Sequence, residues 1–134
     1  MDETMLIQRA FEARLEAYAP YSGFRVGAAV LSDDGRVFTG VNIENASYGL
    51  TLCAERAALA QAVAEGCRRF TALAIATDSP SPTYPCGGCR QVLAEFGPDT
   101  LIIMATAKGD IAKATAQELL PHAFSGDRFI DTND

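Results

Sequence analysis

Residues 70–78 read FTALAIATD, and this short stretch decides the fold class. Apolar residues fill it almost continuously instead of alternating with polar ones, which is typical of a strand buried on both faces of a sheet. Such a strand needs a covering layer on each side. Before it, residues 51–66 are rich in alanine and close at Gly66, which predicts a helix that starts near Cys53. After it, residues 86–97 form another predicted helix with apolar side chains along one side.

Two further strands are predicted toward the C-terminus. Residues 99–109 (DTLIIMATAKG) predict a strand, and residues 110–121 (DIAKATAQELLP) predict a short strand followed by a short helix. The link AKGD between the two strands is too short for a parallel crossover. We therefore expect these strands to pair antiparallel.

Toward the N-terminus, the sequence predicts a hairpin and a helix. An Asp-Gly turn signal in SDDGR separates two apolar runs, which gives strands near 24–32 and 36–42. Apolar residues recur at helical spacing through residues 1–18, so we expect an amphipathic helix that is stopped by Pro20. Its apolar side is formed by Ile7, Ala10, Phe11, Leu15 and Tyr18.

The order of these elements predicts the architecture. It runs helix, hairpin, helix, strand, helix, strand, strand, helix, with no internal repeat and no long linker. This order predicts an α/β fold in which a mixed five-stranded sheet lies between helices on both faces, as a three-layer α/β/α sandwich. A length of 134 residues suits a single domain that spans residues 1–134.

The overall charge argues against one large class of ligand. The net charge is −6 and the pI is near 4.7, whereas a nucleic-acid-binding protein needs a basic surface to offset phosphates. We therefore expect a small-molecule ligand and no nucleic-acid partner. The N-terminus is acidic and has no long apolar core, so neither a signal peptide nor a membrane span is predicted. Four cysteines do not make a disulfide framework in a chain of this length, and unpaired thiols favour the cytoplasm.

Three of the four cysteines can share one metal ion. Cys86 and Cys89 lie in TYPCGGCR (residues 83–90), where one turn can present both sulfurs to the same ion. Cys53 begins another predicted helix, and helix N-termini favour the thiolate that binds metal. Cys67 lies at the far end of that helix, about 21 Å from Cys53, which is too far for the two cysteines to bind the same ion. Three protein ligands with one open position describe a hydrolytic zinc site.

Two charged residues next to Cys53 complete the hypothetical site. Glu55 can lean over the ion toward the open position and move a proton between a metal-activated water and the substrate. Arg56 can hydrogen-bond the sulfurs and offset the excess charge that three thiolates leave around a dication. Either residue alone would be taken for an ordinary surface side chain, so both roles depend on the neighbouring cysteines.

These residues match a known signature. CAE at 53–55, followed by PCGGCRQ at 85–91, resembles the signature of the zinc nucleoside deaminases. Three longer stretches, YAPYSGFRVGAAV, GRVFTGVNIENASYGLTLCAERAA and LLPHAF, resemble the small homotetrameric cytidine deaminases. The resemblance covers roughly residues 10–125 and implies the fold of that family.

For the reaction, the resemblance implies hydrolytic deamination of free cytidine and deoxycytidine. The products would be uridine or deoxyuridine and ammonia. Cys53, Cys86 and Cys89 would bind one zinc ion per chain, Glu55 would be the proton shuttle, and Arg56 would bond the thiolates. The resemblance also implies a cytoplasmic enzyme of pyrimidine salvage.

For the substrate, the resemblance implies contacts from four residues of the same chain. Phe24 would contact the base, and the backbone N–H of Ala54 would bond the pyrimidine carbonyl. Asn42 and Glu44, in VNIENASY, would hold the ribose hydroxyls. A buried amide and carboxylate suit this role because they can recognise a sugar hydroxyl tightly.

The resemblance also implies that subunits share their pockets. In the tetramer, Tyr48 and Phe124 would complete the pocket of a neighbouring subunit. His122, next to Phe124, is given no role, because the three cysteines already fill the protein positions of the zinc site.

Two other functions remain open at this point. Blasticidin deaminases share PCGxCRQ, so blasticidin S or another cytosine nucleoside is an alternative substrate, although NIENASY favours plain nucleosides. A redox protein could use Cys86 and Cys89 as a dithiol. That function leaves residues 53–55 unexplained, and the chain lacks the tryptophan usual before such a motif.

Overall fold

A computed structural model of the chain describes residues 1–126. Four α-helices and five β-strands occur in this part, with a short 3₁₀ turn before the second helix. They are α1 (Glu3–Arg14), β1 (Val26–Ser32), β2 (Val37–Val41), the 3₁₀ turn (Tyr48–Leu50), α2 (Ala54–Ala64), β3 (Phe70–Thr77), α3 (Gly87–Glu95), β4 (Leu101–Thr106), β5 (Ile111–Thr115) and α4 (Ala116–Leu119). Both hairpin strands lie within the predicted ranges, and β1 begins two residues after the predicted start at position 24.

The five strands form one mixed sheet in the order β2-β1-β3-β4-β5. The strands β3 and β4 are parallel, and every other neighbouring pair is antiparallel. The predicted antiparallel pairing of β4 and β5 is therefore confirmed. As FTALAIATD indicated, β3 lies at the centre of the sheet and is buried at all but one of its positions.

Helices cover both faces of the sheet, so the predicted three layers are present. On one face, α1 packs its buried Leu6 and Ala10 against alanines of β3 and Ile103 of β4. On the other face, α2, α3 and α4 enclose the larger part of the core, which includes Leu73 and Met104. The central strand reads as a continuous apolar run because it contributes side chains to both of these cores.

Two glycines allow helices to lie directly on the strands. A Cβ at Gly27 in β1 would lie 2.0 Å from the carbonyl oxygen of Ala10 in α1. A Cβ at Gly40 in β2 would lie 2.3 Å from the backbone nitrogen of Ala58 in α2. Since real Cβ contacts are never this short, these positions require glycine, and Gly40 sets how closely α2 approaches the sheet.

The predicted N-terminal helix is shorter than expected. It ends at Arg14 with Leu15 as its C-cap, so the prediction of a helix running toward Pro20 was wrong. Leu15 and Tyr18 are 60% and 56% exposed and take no part in the apolar side of the helix. The backbone of Tyr18 instead exchanges hydrogen bonds with residues 42 and 44, which draws the chain away from the helix axis.

Helices α2 and α3 begin at the edge of the sheet formed by the start of β1 and the end of β3, next to the cavity described below. Cys53 is the N-cap of α2 and Cys86 is the N-cap of α3. Both residues have extended backbone angles, as N-caps do, and neither side chain caps its own helix. None of the helices in residues 1–126 has the length and apolar character needed to cross a membrane.

Candidate active site

Three cysteine sulfurs converge at this edge of the sheet. The Sγ atoms of Cys53, Cys86 and Cys89 all lie within 4.8 Å of one another. Cys53 and Cys86 come from the starts of two different helices, and Cys89 lies one turn into α3 and is fully buried. The structure therefore brings together the three cysteines that the sequence assigned to one ion.

The donor set fits zinc. Three sulfurs bound tetrahedrally at about 2.3 Å would stand about 3.8 Å apart. The observed limit of 4.8 Å leaves only a small side-chain rotation to reach that spacing. No other group of three or more histidine, cysteine, aspartate or glutamate side chains in residues 1–126 is arranged to hold a metal.

Local backbone and burial give the cysteines different acidities. The pKa of Cys86 is lowered, mainly because the backbone N–H of Cys89 points at its sulfur and also because that of Gly88 does. Burial raises the pKa of the Cys89 thiol, and the nearby carboxylate of Glu55 raises it further. The helix N-terminus thus favours the thiolate at Cys86, whereas burial disfavours it at Cys89, where a bound cation would offset that cost.

Glu55 lies beside this cluster. It is 6% exposed and also lines the cavity described below. Burial raises the pKa of its carboxyl group, while its own backbone N–H, the Cys89 thiol and Arg56 act in the opposite direction. A buried carboxyl group next to three potential ligands is suited to carry a proton in either direction.

Arg56 contacts the cluster from outside the cavity. Its Nη2 donates to Cys53 Sγ at 3.5 Å, as the sequence predicted. The pKa of Arg56 is raised, first by this bond and then by the charges of the three cysteines, while burial acts in the opposite direction. Within residues 1–126, its Nε is buried without a hydrogen-bond partner.

Cys53 of the cluster and the neighbouring Glu55 line a cavity of about 310 Å³. Its wall is mostly apolar and carries a few polar groups, which is usual for small-molecule sites. The lining residues are Ser22, Phe24, Val26, Asn42, Glu44, Thr51, Leu52, Cys53, Ala54, Glu55, Ile75, Thr83, Tyr84 and Pro85.

Asn42 and Phe24 form one side of this cavity. The Asn42 side chain accepts the N–H of Val26 at 2.9 Å and donates to the carbonyl of Phe24 at 2.8 Å. Asn42 therefore fixes the segment that leads into β1 as well as facing the cavity. Phe24 lies just before β1 and is only half-buried, so it is not part of the sheet core.

Glu44 is held by the loop that follows Pro20. Its Oε1 accepts the N–H groups of Tyr21 and Ser22 at 2.9 and 3.1 Å, and its Oε2 accepts the Ser22 hydroxyl. The pKa of Glu44 is lowered, first by the Ser22 hydroxyl and then by these N–H groups, while partial desolvation opposes them. Glu44 thus brings a fixed negative charge to the cavity wall.

Ala54 brings a backbone donor to the cavity. It is 1% exposed and is the first residue of α2. The first N–H groups of a helix have no acceptor inside the helix. Within residues 1–126 no hydrogen-bond acceptor faces the Ala54 N–H, so this donor remains for a ligand.

Tyr48 and Phe124 do not line this cavity. Tyr48 is 76% exposed in the 3₁₀ turn, with its ring 6.0 Å from that of Tyr21. Phe124 is 73% exposed beyond α4, and its carbonyl accepts the side chain of Gln91 at 2.8 Å. The chain does not bring either ring to its own cavity, and their predicted role toward a neighbouring subunit stays a prediction.

Sequence reasoning missed one wall of the cavity. Thr83, Tyr84 and Pro85 line it, although only the cysteines of TYPCGGCR were given a role. Their position directly before the ligand Cys86 was the available signal. Ser22 was also missed, and its contact with Glu44 depends on a loop that no local pattern predicts.

Cys67 is excluded from the metal cluster, as predicted. It is 4% exposed at the far end of α2, and its sulfur accepts Nη2 of Arg36 at 3.0 Å. Arg36 also donates to Asp34 and to the carbonyl of Glu65, so it joins the hairpin turn to the end of α2. Cys67 has a structural position there.

Comparison with known proteins identifies the family. Residues 1–105 match the family described as the cytidine and deoxycytidylate deaminase zinc-binding region. The chain belongs to this deaminase family. The three-cysteine cluster and the zinc-binding description together confirm the predicted cofactor.

Individual deaminases are similar over almost the whole chain. A cytidine deaminase of Halalkalibacterium halodurans is 53% identical over 135 residues, which covers 100% of both chains. A cytidine deaminase of Mycobacterium tuberculosis is 47% identical over 95% of this chain and 92% of its own. The crystal structure of cytidine deaminase from Burkholderia pseudomallei aligns with a TM-score of 0.90 and 49% identity, over 92% of this chain and 100% of that one. The predicted deaminase fold is therefore confirmed.

Proposed function

We propose that this chain is a zinc-dependent cytidine deaminase that hydrolyses free cytidine and deoxycytidine. The products are uridine or deoxyuridine and ammonia. One observation carries the proposal: three cysteine sulfurs within 4.8 Å of one another lie next to a buried glutamate that lines a cavity. The names of the similar proteins support the choice of substrate.

Cys53, Cys86 and Cys89 hold the zinc ion, and Glu55 moves the protons. When bound, zinc acts as a Lewis acid, which lowers the pKa of a water molecule toward neutrality. Glu55 accepts a proton from the attacking water and delivers it to ring N3 of cytosine. It then passes the second water proton to the departing amine, which leaves as ammonia. Burial of Glu55 supports this role because it brings the pKa of the carboxyl group closer to the working pH.

The cavity wall orients the nucleoside. Phe24 contacts the base, and the unpaired N–H of Ala54 donates to the pyrimidine carbonyl. Asn42 and Glu44 bind the ribose hydroxyls with the bonding capacity that their backbone contacts leave free. The carboxylate of Glu44 and the net charge of −6 disfavour a polynucleotide ligand.

We further propose that the working enzyme is a homotetramer whose subunits share pockets. The exposed rings of Tyr48 and Phe124 support this arrangement, because both lie on the surface and neither lines its own cavity. We place the enzyme in the cytoplasm and in pyrimidine salvage. The four unpaired thiols suit a reducing compartment.

The first test is the loss of cytidine absorbance by protein with and without a zinc chelator. We expect turnover by protein as purified, about one zinc per chain, and loss of activity after chelation that zinc restores. Protein without metal and without turnover would refute the proposal, and a disulfide between Cys86 and Cys89 would support the redox alternative.

The second test is Glu55→Gln. This variant should keep its zinc and lose roughly a thousandfold or more in kcat, because amide nitrogen cannot shuttle the protons. Glu95→Gln, an exposed change at the end of α3, is the matched control. Active Glu55→Gln protein with full metal content would contradict the assigned role. Kinetics with blasticidin S in parallel would show whether plain cytidine is the preferred substrate.

A further inference from the structure

The cavity wall that the sequence did not predict belongs to a segment that is held in place by side chains. Residues 78–85, called the strap here, connect the end of β3 to Cys86. Three of its eight residues, Pro80, Pro82 and Pro85, have no backbone N–H to donate. Within residues 1–126, the strap makes no backbone-to-backbone hydrogen bond.

Side chains hold the strap at three points. At its start, Asp78 forms an ion pair with Arg14 of α1. At its end, Nε of Arg90 donates to the carbonyl of Pro85 at 2.8 Å. Between them, the hydroxyl groups of Thr77 and Thr83 hydrogen-bond at 3.2 Å. Among the hydrogen bonds of residues 1–126, this middle contact alone joins the cavity-lining part of the strap to a strand of the sheet.

Thr77 is well placed to act as a fixed point. It is fully buried at the end of the central strand, with Val26 on one neighbouring strand and Thr106 on the other. Its hydroxyl also accepts the N–H of Ser79 at 3.3 Å, which turns the chain away from the sheet. Val26, the pairing partner of Thr77 on β1, lines the cavity together with Thr83. Thr77 therefore lies next to the cavity wall.

We propose that Thr77 is a positioning residue for the substrate: through the Thr83 hydroxyl, it holds residues 83–85 against the cavity. Thr77 does not line the cavity and acts only through the strap. The wall contacts the nucleoside in both the ground state and the transition state. Glu55, which carries the protons, lies on a different element. Loss of the contact should therefore raise KM and leave kcat nearly unchanged.

The test is Thr77→Val, which keeps the shape of the side chain and removes the hydroxyl group. We expect KM for cytidine to rise roughly three- to tenfold from loss of the bond to Thr83, with zinc content unchanged. The bond to the Ser79 N–H is lost as well, but Ser79 does not line the cavity. Thr77→Ser keeps the hydroxyl and should retain the wild-type KM, even though it removes a buried methyl group. A purely structural role would lower the amount of active enzyme, which changes apparent kcat but not KM.

Two further variants make the result specific. Thr106→Val makes the same change at the paired position on β4, where the hydroxyl accepts the N–H of Asp110, and should keep the wild-type KM. Thr83→Val breaks the same contact from its half-buried end, so it tests the contact even if Thr77→Val folds poorly. Adding Thr77→Val to Thr83→Val should leave KM unchanged, because the contact is already lost.

The inference rests on the proposed function, since its readout is cytidine turnover. A wild-type KM for Thr77→Val, a raised KM for Thr77→Ser, or multiplying effects of the two valine substitutions would overturn it. Those outcomes require an active wild-type enzyme. Wild-type protein that does not deaminate cytidine would instead refute the proposed function.

Discussion

At the residue scale, the helix N-caps decide how the metal site is built. Serine, threonine, aspartate and asparagine are favoured at this position because their oxygens cap the first N–H groups. Cys53 and Cys86 occupy it without a side-chain capping bond. Their sulfurs lie within 4.8 Å of each other, and the N–H groups of Cys89 and Gly88 lower the pKa of the Cys86 thiol. One backbone geometry thus both orients the ligands and favours the thiolate.

Arg56 should contribute to the zinc site by balancing its charge. Replacing it by glutamine removes the donor to Cys53 Sγ and one positive charge next to three thiolates. We expect zinc affinity to fall about ten- to a hundredfold, measured by competition with a chromophoric chelator. Arg9→Gln, on the exposed surface of α1, removes the same charge and should not change the affinity. An unaltered affinity for Arg56→Gln would remove Arg56 from the site.

Glu44 should make stability depend on pH in the acid range. Its pKa is lowered in the folded protein, so its carboxylate stabilises the fold above its unfolded value of about 4.5. This contribution is lost as the pH falls through the lower, folded pKa. We therefore expect the difference in urea midpoint between wild type and Glu44→Gln to be constant near neutral pH and to shrink below about pH 4.5.

The control for this experiment is Glu16→Gln, which removes an exposed charge after α1. The prediction is wrong if the Glu44→Gln difference grows toward low pH, because that sign belongs to a group with a raised pKa. Glu44 also stays ionised throughout the neutral range, so ribose binding should not titrate there.

At the element scale, the approach of α2 to β2 should be sensitive to a single methyl group. In Gly40→Ala, the new Cβ would lie 2.3 Å from the nitrogen of Ala58, and it must push α2 away from the sheet. The first turn of α2 carries Cys53 and Glu55, so zinc affinity and kcat should fall together. The free energy of unfolding should fall by about 1–3 kcal/mol, measured in urea.

Gly126→Ala is the matched control, because no atom lies within 4 Å of a Cβ at that position. It should leave the unfolding free energy within about 0.5 kcal/mol of wild type. If Gly40→Ala were as stable and as active as wild type, the close contact between α2 and β2 would not position the catalytic helix.

The elements differ in how far the sequence could predict them. FTALAIATD is unambiguous because a central strand is apolar on both faces, and Gly66, with a φ of 95°, closes α2 as a left-handed residue should. The end of α1 was mispredicted because Leu15 and Tyr18 continue the helical spacing. Tertiary hydrogen bonds from Tyr18 to the loop after β2 override that local pattern.

The same contrast holds within the site. Cys53, Cys86, Cys89 and Glu55 follow from spacing, since each is placed by a local helix start. The wall at residues 83–85 does not, because its position depends on a side-chain contact from a proline-rich segment to the sheet. Local sequence patterns predict helices and strands, whereas contacts between loops depend on the complete fold.

At the scale of the whole molecule, the proposed tetramer would bury some of the exposed apolar side chains. Several large side chains between residues 18 and 50 are more than 40% exposed. They are Tyr18, Tyr21, Ile43, Tyr48 and Leu50.

Shared pockets predict complementation between two inactive proteins. Under the proposed function, Glu55→Gln lacks the proton shuttle, and Phe124→Ala lacks the ring that would complete a neighbour's pocket. When equal amounts are unfolded and refolded together, chains with Glu55 can acquire a neighbour with Phe124. We expect about a quarter of wild-type activity from random assembly. The measurement is the cytidine assay on tetramers isolated by size-exclusion chromatography.

A control pair of variants tests whether the recovered activity comes from pockets shared between chains. Glu55→Gln refolded with Cys53→Ser should give no activity, because both defects lie in the part of the site that one chain supplies. Mixed tetramers of Glu55→Gln and Phe124→Ala without recovered activity would contradict the shared pocket.

The backbone contacts of Asn42 and Glu44 have a practical consequence for crystallography. Backbone groups of the chain itself hold both side chains in place. Ligand entry then requires little rearrangement on this side of the cavity. Crystals grown without nucleoside should tolerate soaking with a substrate analogue, and difference density should show the analogue while these two side chains stay in place.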